Sequence, residues 1–218
     1  MKVSIIIPCF NRELYIGRAI RSALAQNFPR SEFEVIVVDD GSTDHSGEAA
    51  TEFGDEIVYI RHDENLGLPA ARNTGIRRAR GRFLLNLDSD DYIHEDLLYI
   101  EHLHLCLNPH WGAVCCDYFY VNDLEEHVSR VSGQTKPIAC GIMFRKDALI
   151  ASGLYDESLR MCEEEDLRLR FLERYHIGYV ELPLYRYRLH NGNMSNDADS
   201  IQRYRRAFRE KRGLAETA

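Results

Sequence analysis

Three carboxylates crowd into the four residues Asp88-Ser89-Asp90-Asp91, directly behind the apolar stretch Phe83-Leu84-Leu85-Asn86-Leu87. Like charges this close repel one another unless something positive stands between them. A hard divalent cation with a phosphate on its far side would supply that charge, because Mg²⁺ in particular takes one or two carboxylates together with substrate phosphate oxygens. The alternative is local: aspartates also cap helices, and Asp91 has that reading, as the cap of a helix predicted over 95–107. An apolar run through Leu87 predicts a buried strand, and a buried strand delivers its acids to its carboxyl end, where open α/β sheets place their ligands.

Two further acid clusters carry chemistry. Asp39-Asp40-Gly41-Ser42 follows the apolar run Phe33 to Val38 without a gap, so its carboxylates also sit at a strand's carboxyl end, within reach of a nucleobase imide or a ribose hydroxyl. The competing role is an Asx-turn or a cap, with Asp44 as the cap of the next helix. Glu163-Glu164-Glu165-Asp166 precedes Leu167, Leu169, Phe171 and Leu172 and opens a helix, where the helix dipole favours acids. Four adjacent acids exceed what a cap needs, and a carboxylate held at a helix start can serve as a general base. Asp166 and Arg170 stand four apart and are expected to pair. His190, in Leu189-His190-Asn191-Gly192-Asn193, is either a surface histidine or a ligand.

The elements that must position these residues alternate. Val3 to Ile7 is a β-branched strand stopped at Pro8, and a helix follows with Leu14, Ala19, Ile20, Ala23 and Leu24 broadly on one face. Strand 33–38, a short helix over 46–53, strand 57–61 and a helix opened by Pro69 come next. In that helix Leu68, Ala71, Gly75 and Ala79 recur at helical spacing, and their small size lets it lie close to a sheet. With strand 83–87 this β-α-β-α-β-α-β run predicts a mostly parallel sheet covered by helices. Beyond residue 108 the pattern loosens. Strands are expected at 113–120, 142–144 and 178–181, helices at 146–152 and from Glu163 to about Arg174, and a polar loop over 121–137. No Gly/Ser/Pro-rich linker divides the chain, so 1–218 reads as one domain. Its parts are residues 1–108, which resemble a nucleotide-binding fold, residues 109–200, and a basic C-terminal helix (201–218), with one sheet continuous through both halves.

Composition excludes several classes. With 27 Lys and Arg against 35 Asp and Glu, the formal charge is −8, which gives a nucleic acid no general basic face to bind. No stretch approaches the roughly 18 apolar residues of a bilayer span, and the amino terminus is not patterned as a signal peptide. The six cysteines, at 9, 106, 115, 116, 140 and 162, show neither a C-x-x-C pair nor a regular spacing and read as reduced thiols in the cytoplasm. The segment Gln202 to Arg212 is a basic helix with aromatics. It is either solvated or a peripheral contact to anionic lipid, at the inner face of the membrane, or to an acidic partner.

Taken in order, Ser4-Ile5-Ile6-Ile7-Pro8-Cys9-Phe10-Asn11, Val38-Asp39-Asp40-Gly41-Ser42-Thr43-Asp44, Asn65-Leu66-Gly67 with Ala71-Arg72-Asn73-Thr74-Gly75, and Leu87-Asp88-Ser89-Asp90-Asp91 resemble the donor half of family 2 glycosyltransferases with the GT-A fold. Ser152-Gly153-Leu154-Tyr155-Asp156-Glu157 and Glu163 to Arg170 resemble that family's acceptor-side motifs. The resemblance implies an α/β GT-A fold and inverting transfer of a sugar from a nucleoside-diphosphate sugar, most often a UDP-sugar. The acceptor would be a carbohydrate or glycolipid hydroxyl, the cofactor a divalent metal, Mn²⁺ or Mg²⁺, and the setting polysaccharide or glycolipid synthesis.

By the same resemblance Pro8, Phe10 and Asn11 lie along the nucleotide pocket, Asp40 contacts the base, and Gly67, Arg72 and Ser89 belong to the nucleotide-sugar site. Asp88 faces the ribose and diphosphate, and Asp90 is the principal metal ligand, with Asp88 and His190 completing the metal site. The family's base motif reads Glu-Asp-x-Asp-Leu-x-x-Arg, which puts Glu163 at its first acid and Glu164 where the catalytic Asp stands. Glutamate can take the same proton, but its extra methylene moves the carboxylate by more than ~1 Å, enough to matter in a positioned site. Glu164 is the expected base and Glu163 its substitute. Two rivals stand beside this reading: a non-catalytic nucleotide-sugar-binding or scaffold protein, motivated by the Glu-Glu pair, and a glycoside hydrolase, which would need two carboxylates flanking a sugar cleft and no nucleotide.

Overall fold

The β-branched run at the start of the chain forms β1, Val3–Cys9, buried at all seven positions. In the structure, a computed structural model that describes residues 1–190 and 198–213, β1 lies between β2 (Phe33–Asp39) and β4 (Phe83–Asn86), with β3 (Val58–Arg61) outside β2, all parallel. Pro8 lies in β1 beyond the last β1–β4 pair, Ile6↔Asn86, so its missing N–H interrupts no ladder on that side. Alternation along these strands feeds two cores. Ile5, Ile7, Val35, Val37 and Leu85 face one way, with residues of α1 (Ile16–Leu24) and α4 (Leu97–Leu107). Ile6, Ile36, Val38 and Leu84 face the other, with residues of α3 (Leu68–Arg78), α5 (Lys146–Ala151) and α6 (Glu163–Leu172). The close approach expected of α3 is present: a Cβ on Gly75 would run into the Ile6 side chain. The remaining short helix is α2, Ser46–Thr51.

Past β4 the sheet continues without a break but changes direction. Its order is β3-β2-β1-β4-β8-β6-β9-β5. Here β8 (Ile142–Arg145) is antiparallel to both β4 and β6 (Trp111–Val121), β9 (His176–Arg188) is parallel to β6, and β5 (Tyr92–Ile93) is antiparallel to β9. The mostly parallel sheet predicted from the alternation therefore holds for residues 3–87 and not for the second half.

Four local expectations are corrected. The polar stretch after residue 121 contains a strand, β7 (His127–Val131), paired with β6. It is mostly exposed and lacks the apolar alternation that marks a strand in sequence, and its turn is held by Asn122 Oδ1 accepting from the amides of Leu124 and Glu126. The strand expected at 178–181 is longer: β9 runs through Pro183 to Arg188, and its register with β6 slips on either side of Asp117, the partner of Pro183, which is where a strand tolerates the missing N–H. Leu14 lies ahead of α1 and is 81 % exposed, not on its buried face. Asp91 does not cap the helix predicted over 95–107, because α4 begins at Leu97 with Asp96 at the cap position.

All six cysteines are free thiols, five buried and Cys106 exposed. Among the described residues no helix is long and apolar enough to cross a membrane. The basic helix at the end of the chain is α7, Ala198–Arg212. Arg205, Lys211 and Arg212 face acids of their own chain, Glu165, Asp156 and Asp166, so part of the basic face read as a lipid contact is turned inward.

One buried group opposes the fold. Glu101 of α4 is fully buried, and neither carboxyl oxygen has a hydrogen-bond partner among the described residues; burial pushes its carboxyl well above the usual range. Because its folded pKa lies above the unfolded value near 4.5, ionising it at rising pH costs stability. Glu101→Met is expected to stabilise the protein by about 1–3 kcal/mol at pH 8, with an advantage that shrinks toward pH 4.5, as read from urea unfolding at both pH values. A variant no more stable than wild type at pH 8 contradicts this account.

Candidate active site

The carboxyl ends of β1, β2 and β4 lie side by side, so the loops at 9–12, 39–44 and 87–91 meet. Asn11, in the left-handed region at φ 52°, joins the first two: its amide donates to Ser42 Oγ at 3.1 Å and its Oδ1 accepts from the Thr43 amide at 2.8 Å. Asp44 accepts from the Ser46 amide and from the Glu13 amide, but it is not the cap expected of it: the residue at the cap position of α2 is His45. Pro8 is buried beneath this junction, whereas Phe10 is 41 % exposed at its mouth.

Both acids after β2 hold turns. Asp39 accepts from the Ser42 amide, the Tyr59 hydroxyl at 2.6 Å and Arg61 at 2.6 Å. Asp40, also buried, accepts from the amides of Leu66 at 3.0 Å and Gly67 at 2.8 Å and is paired with His62 Nδ1 at 2.7 Å. It thereby orders the loop that ends at Gly67, whose φ of 100° favours glycine. A carboxylate offers about four acceptor directions. Three are engaged, which leaves Asp40 one for a ligand.

The three aspartates of the run are held by different partners. Asp88 receives Arg72 Nη2 at 2.9 Å. Asp90 receives Arg12 Nε at 3.0 Å and faces His190 Nε2 at 3.0 Å; burial resists its ionisation, but His190 and Arg12 outweigh burial and hold its carboxyl below the usual carboxylate range. Asp91 is fully buried, accepting from the Tyr185 hydroxyl at 2.7 Å and the Arg188 amide at 2.8 Å. Burial, followed by the charges of Asp90 and Asp88, pushes its carboxyl well up. It anchors the loop to β9 in place of the helix-capping role. Ser89 is buried with its hydroxyl against the Cys9 thiol.

Arg72 links this loop to the base motif. It is 1 % exposed, with Nη1 donating to Glu163 at 2.6 Å and Nη2 to Asp88 at 2.9 Å, while the Tyr155 ring lies 5.3 Å from its guanidinium and Nε has no hydrogen-bond partner among the described residues. Burial and the neighbouring Glu164 carboxylate raise Glu163, the Arg72 charge lowers it, and the balance pushes it up to about 7. The acids of this turn differ in their bonds. Asp166 pairs with Arg170 at 2.7 Å, as its spacing predicts, and also with Arg212. Glu165 faces Arg205 at 3.5 Å. Glu164, half-buried, makes no hydrogen bond or ion pair among the described residues and lines a narrow cleft with Ala139, Tyr155, Leu167 and Arg168.

A divalent metal fits the donor set in part. Among the described residues no three His, Cys, Asp or Glu side chains stand together as a cage, but Asp90 and His190 lie within hydrogen-bond distance, and a hard cation that draws its remaining ligands from a diphosphate and water needs no more from the protein. Asp88 is paired with Arg72 at 2.9 Å. The neighbours Asn191 to Ser195 of the late histidine motif lie outside the described residues. Sequence reading missed Arg12, His62, Tyr185 and Arg188, none of which carries a signature spacing.

Residues 4–153 match the description Glycosyl transferase family 2. The chain belongs to that family. EpsH of Bacillus subtilis (strain 168) is 30% identical over 239 residues, covering 98% of this chain and 66% of its own length. Staphylococcus aureus TarS 1–349, solved in complex with UDP, superposes with a TM-score of 0.76 at 24% identity over 94% of this chain and 64% of that one. The mannosyltransferase PcManGT from Pyrobaculum calidifontis, solved with GDP-Man and Mn²⁺, gives 0.73 at 19% identity over 100% of this chain and 66% of that one. This family member thus has the expected α/β GT-A fold, with a curled central sheet, and spans just under two thirds of each of these three proteins.

Proposed function

We propose that the protein is an inverting glycosyltransferase that moves a sugar from a UDP-sugar to a hydroxyl of a carbohydrate or glycolipid acceptor in polysaccharide or glycolipid synthesis. The observation that carries this reading is the buried Arg72 bridge, because it ties the aspartate loop of a nucleotide pocket to a helix turn that offers one unpaired carboxylate, Glu164. The UDP bound to TarS and the GDP-Man and Mn²⁺ bound to PcManGT support the donor class. Residues 1–108 then serve the donor and 109–200 the acceptor, and the six free thiols support a cytoplasmic setting.

Pro8, Phe10 and Asn11 line the nucleotide, Asp40 offers its remaining acceptor direction to the base, and Gly67, Arg72, Asp88 and Ser89 border the sugar-diphosphate. Asp90 and His190 would hold a divalent metal, and that ion would supply positive charge to the diphosphate leaving group. Glu164 accepts the proton of the acceptor hydroxyl as its oxygen bonds to the anomeric carbon and the bond from that carbon to the diphosphate breaks, a single in-line displacement that inverts the centre. The alternative base, Glu163, is engaged by Arg72, which supports Glu164. The test is UDP release from UDP-sugars in Mn²⁺ by wild type and by Glu164→Gln. Release by wild type that collapses in the variant fits the proposal. A wild-type protein that binds UDP but releases none from any UDP-sugar favours the non-catalytic binding protein instead.

A further inference from the structure

The four acids that open α6 do not hold themselves in place. Cys162, the residue before Glu163, has φ 65°, a left-handed conformation that a non-glycine residue keeps only when its surroundings impose it. The surroundings here come from α7. Phe208, 3 % exposed, packs on Leu159 and Cys162 with Met161 at the edge. Lys211 Nζ donates to Asp156 Oδ2 and Ser158 Oγ, both at 2.6 Å, and Arg205 faces Glu165 at 3.5 Å. The two oxygens of the fully buried Asp166 are shared between helices: Oδ2 accepts from Arg170 of α6 and Oδ1 from Arg212 of α7.

We propose that α7 is a clasp on the base turn, with Phe208 and Arg212 as positioning residues that fix the left-handed turn at Cys162 and so aim Glu164 into the cleft. This rests on the glycosyltransferase reading above. Neither residue is among those lining the cleft around Glu164; each acts through Cys162 or Asp166. The arginines of α7 also take the charge of the two acids that follow Glu164, leaving that carboxylate as the unpaired acid of the turn.

The test compares Phe208→Ala, Arg212→Ala and the conservative Arg212→Lys with wild type by two independent measurements. In hydrogen–deuterium exchange, both Ala variants are expected to speed amide exchange across 160–167 by about tenfold, while 36–43 and 84–90 exchange as in wild type. In UDP-GlcNAc hydrolysis with Mn²⁺, both are expected to lower kcat about tenfold with KM for UDP-GlcNAc within about twofold, since a misaimed base slows the chemical step without weakening donor binding. Arg212→Lys restores most of both. Unchanged exchange at 160–167 overturns the clasp, and faster exchange with unchanged kcat overturns its positioning role. If wild type neither binds UDP nor hydrolyses UDP-GlcNAc, the glycosyltransferase reading fails, and the exchange measurement alone decides the clasp.

Discussion

Glu164→Gln is expected to bind UDP as wild type does and to turn over a UDP-sugar about 10³-fold more slowly, within the range that loss of a positioned general base costs. Glutamine keeps the size and hydrogen-bonding reach of the side chain and removes only its ability to take a proton. Because Glu164 is half-buried and bonded to nothing among the described residues, its replacement breaks no ion pair, and stability should change by less than about 0.5 kcal/mol. Glu163→Gln behaves differently. It uncouples a carboxyl that ionises at about 7 and is paired with Arg72 at 2.6 Å. That carboxyl binds its proton more tightly folded than unfolded, so its ionisation lowers stability as pH rises from its unfolded value near 4.5 toward 7, and the Gln variant should lose that dependence. Steady-state UDP release and calorimetric UDP binding distinguish the two variants. Unchanged turnover in Glu164→Gln would remove it from the role of base.

Arg72→Met should be the most destabilising single substitution in the site. It leaves Glu163, buried, and Asp88, partly buried, without their cation, and breaking a buried pair by removing one partner costs about 3–5 kcal/mol. The Arg72–Glu163 pair is buried, so solvent does little to replace the lost charge there, whereas Asp88 is 29 % exposed and is partly resolvated; the effect is read from urea unfolding at pH 7. Arg72→Lys should recover only part, because one ammonium cannot reproduce a planar fork that reaches two carboxylates at once. A loss below about 1 kcal/mol for Arg72→Met would mean that the bridge contributes little to either loop.

The sequence made residues 3–87 legible because buried parallel strands read as continuous apolar runs and their polar loops follow without a gap, as in Val38-Asp39-Asp40 and Leu87-Asp88. Asp90 and His190, a hundred residues apart, were paired only by resemblance. What stayed hidden depends on contacts that no local pattern carries. Arg72 finds Glu163 across 91 residues, and Asp91 is anchored by Tyr185 and Arg188 of a strand that the sequence pattern marks only over 178–181. The hairpin strand β7 escaped notice because it is exposed, so burial imposes no alternation on it. Asp39 and Asp40 were read rightly as strand-end acids, but their fixed bonds to turn amides could not be separated in advance from bonds to a ligand, since both use the same carboxylate geometry.

The most direct test of the proposed donor site is calorimetric titration of UDP into wild type and Asp90→Asn, each in Mn²⁺ and in EDTA. The account predicts that wild type binds UDP in Mn²⁺ and that either EDTA or Asp90→Asn weakens binding about 10–100-fold, as loss of a supporting metal contact does. Equal UDP affinity in all four titrations, or no UDP binding by wild type in Mn²⁺, would contradict it.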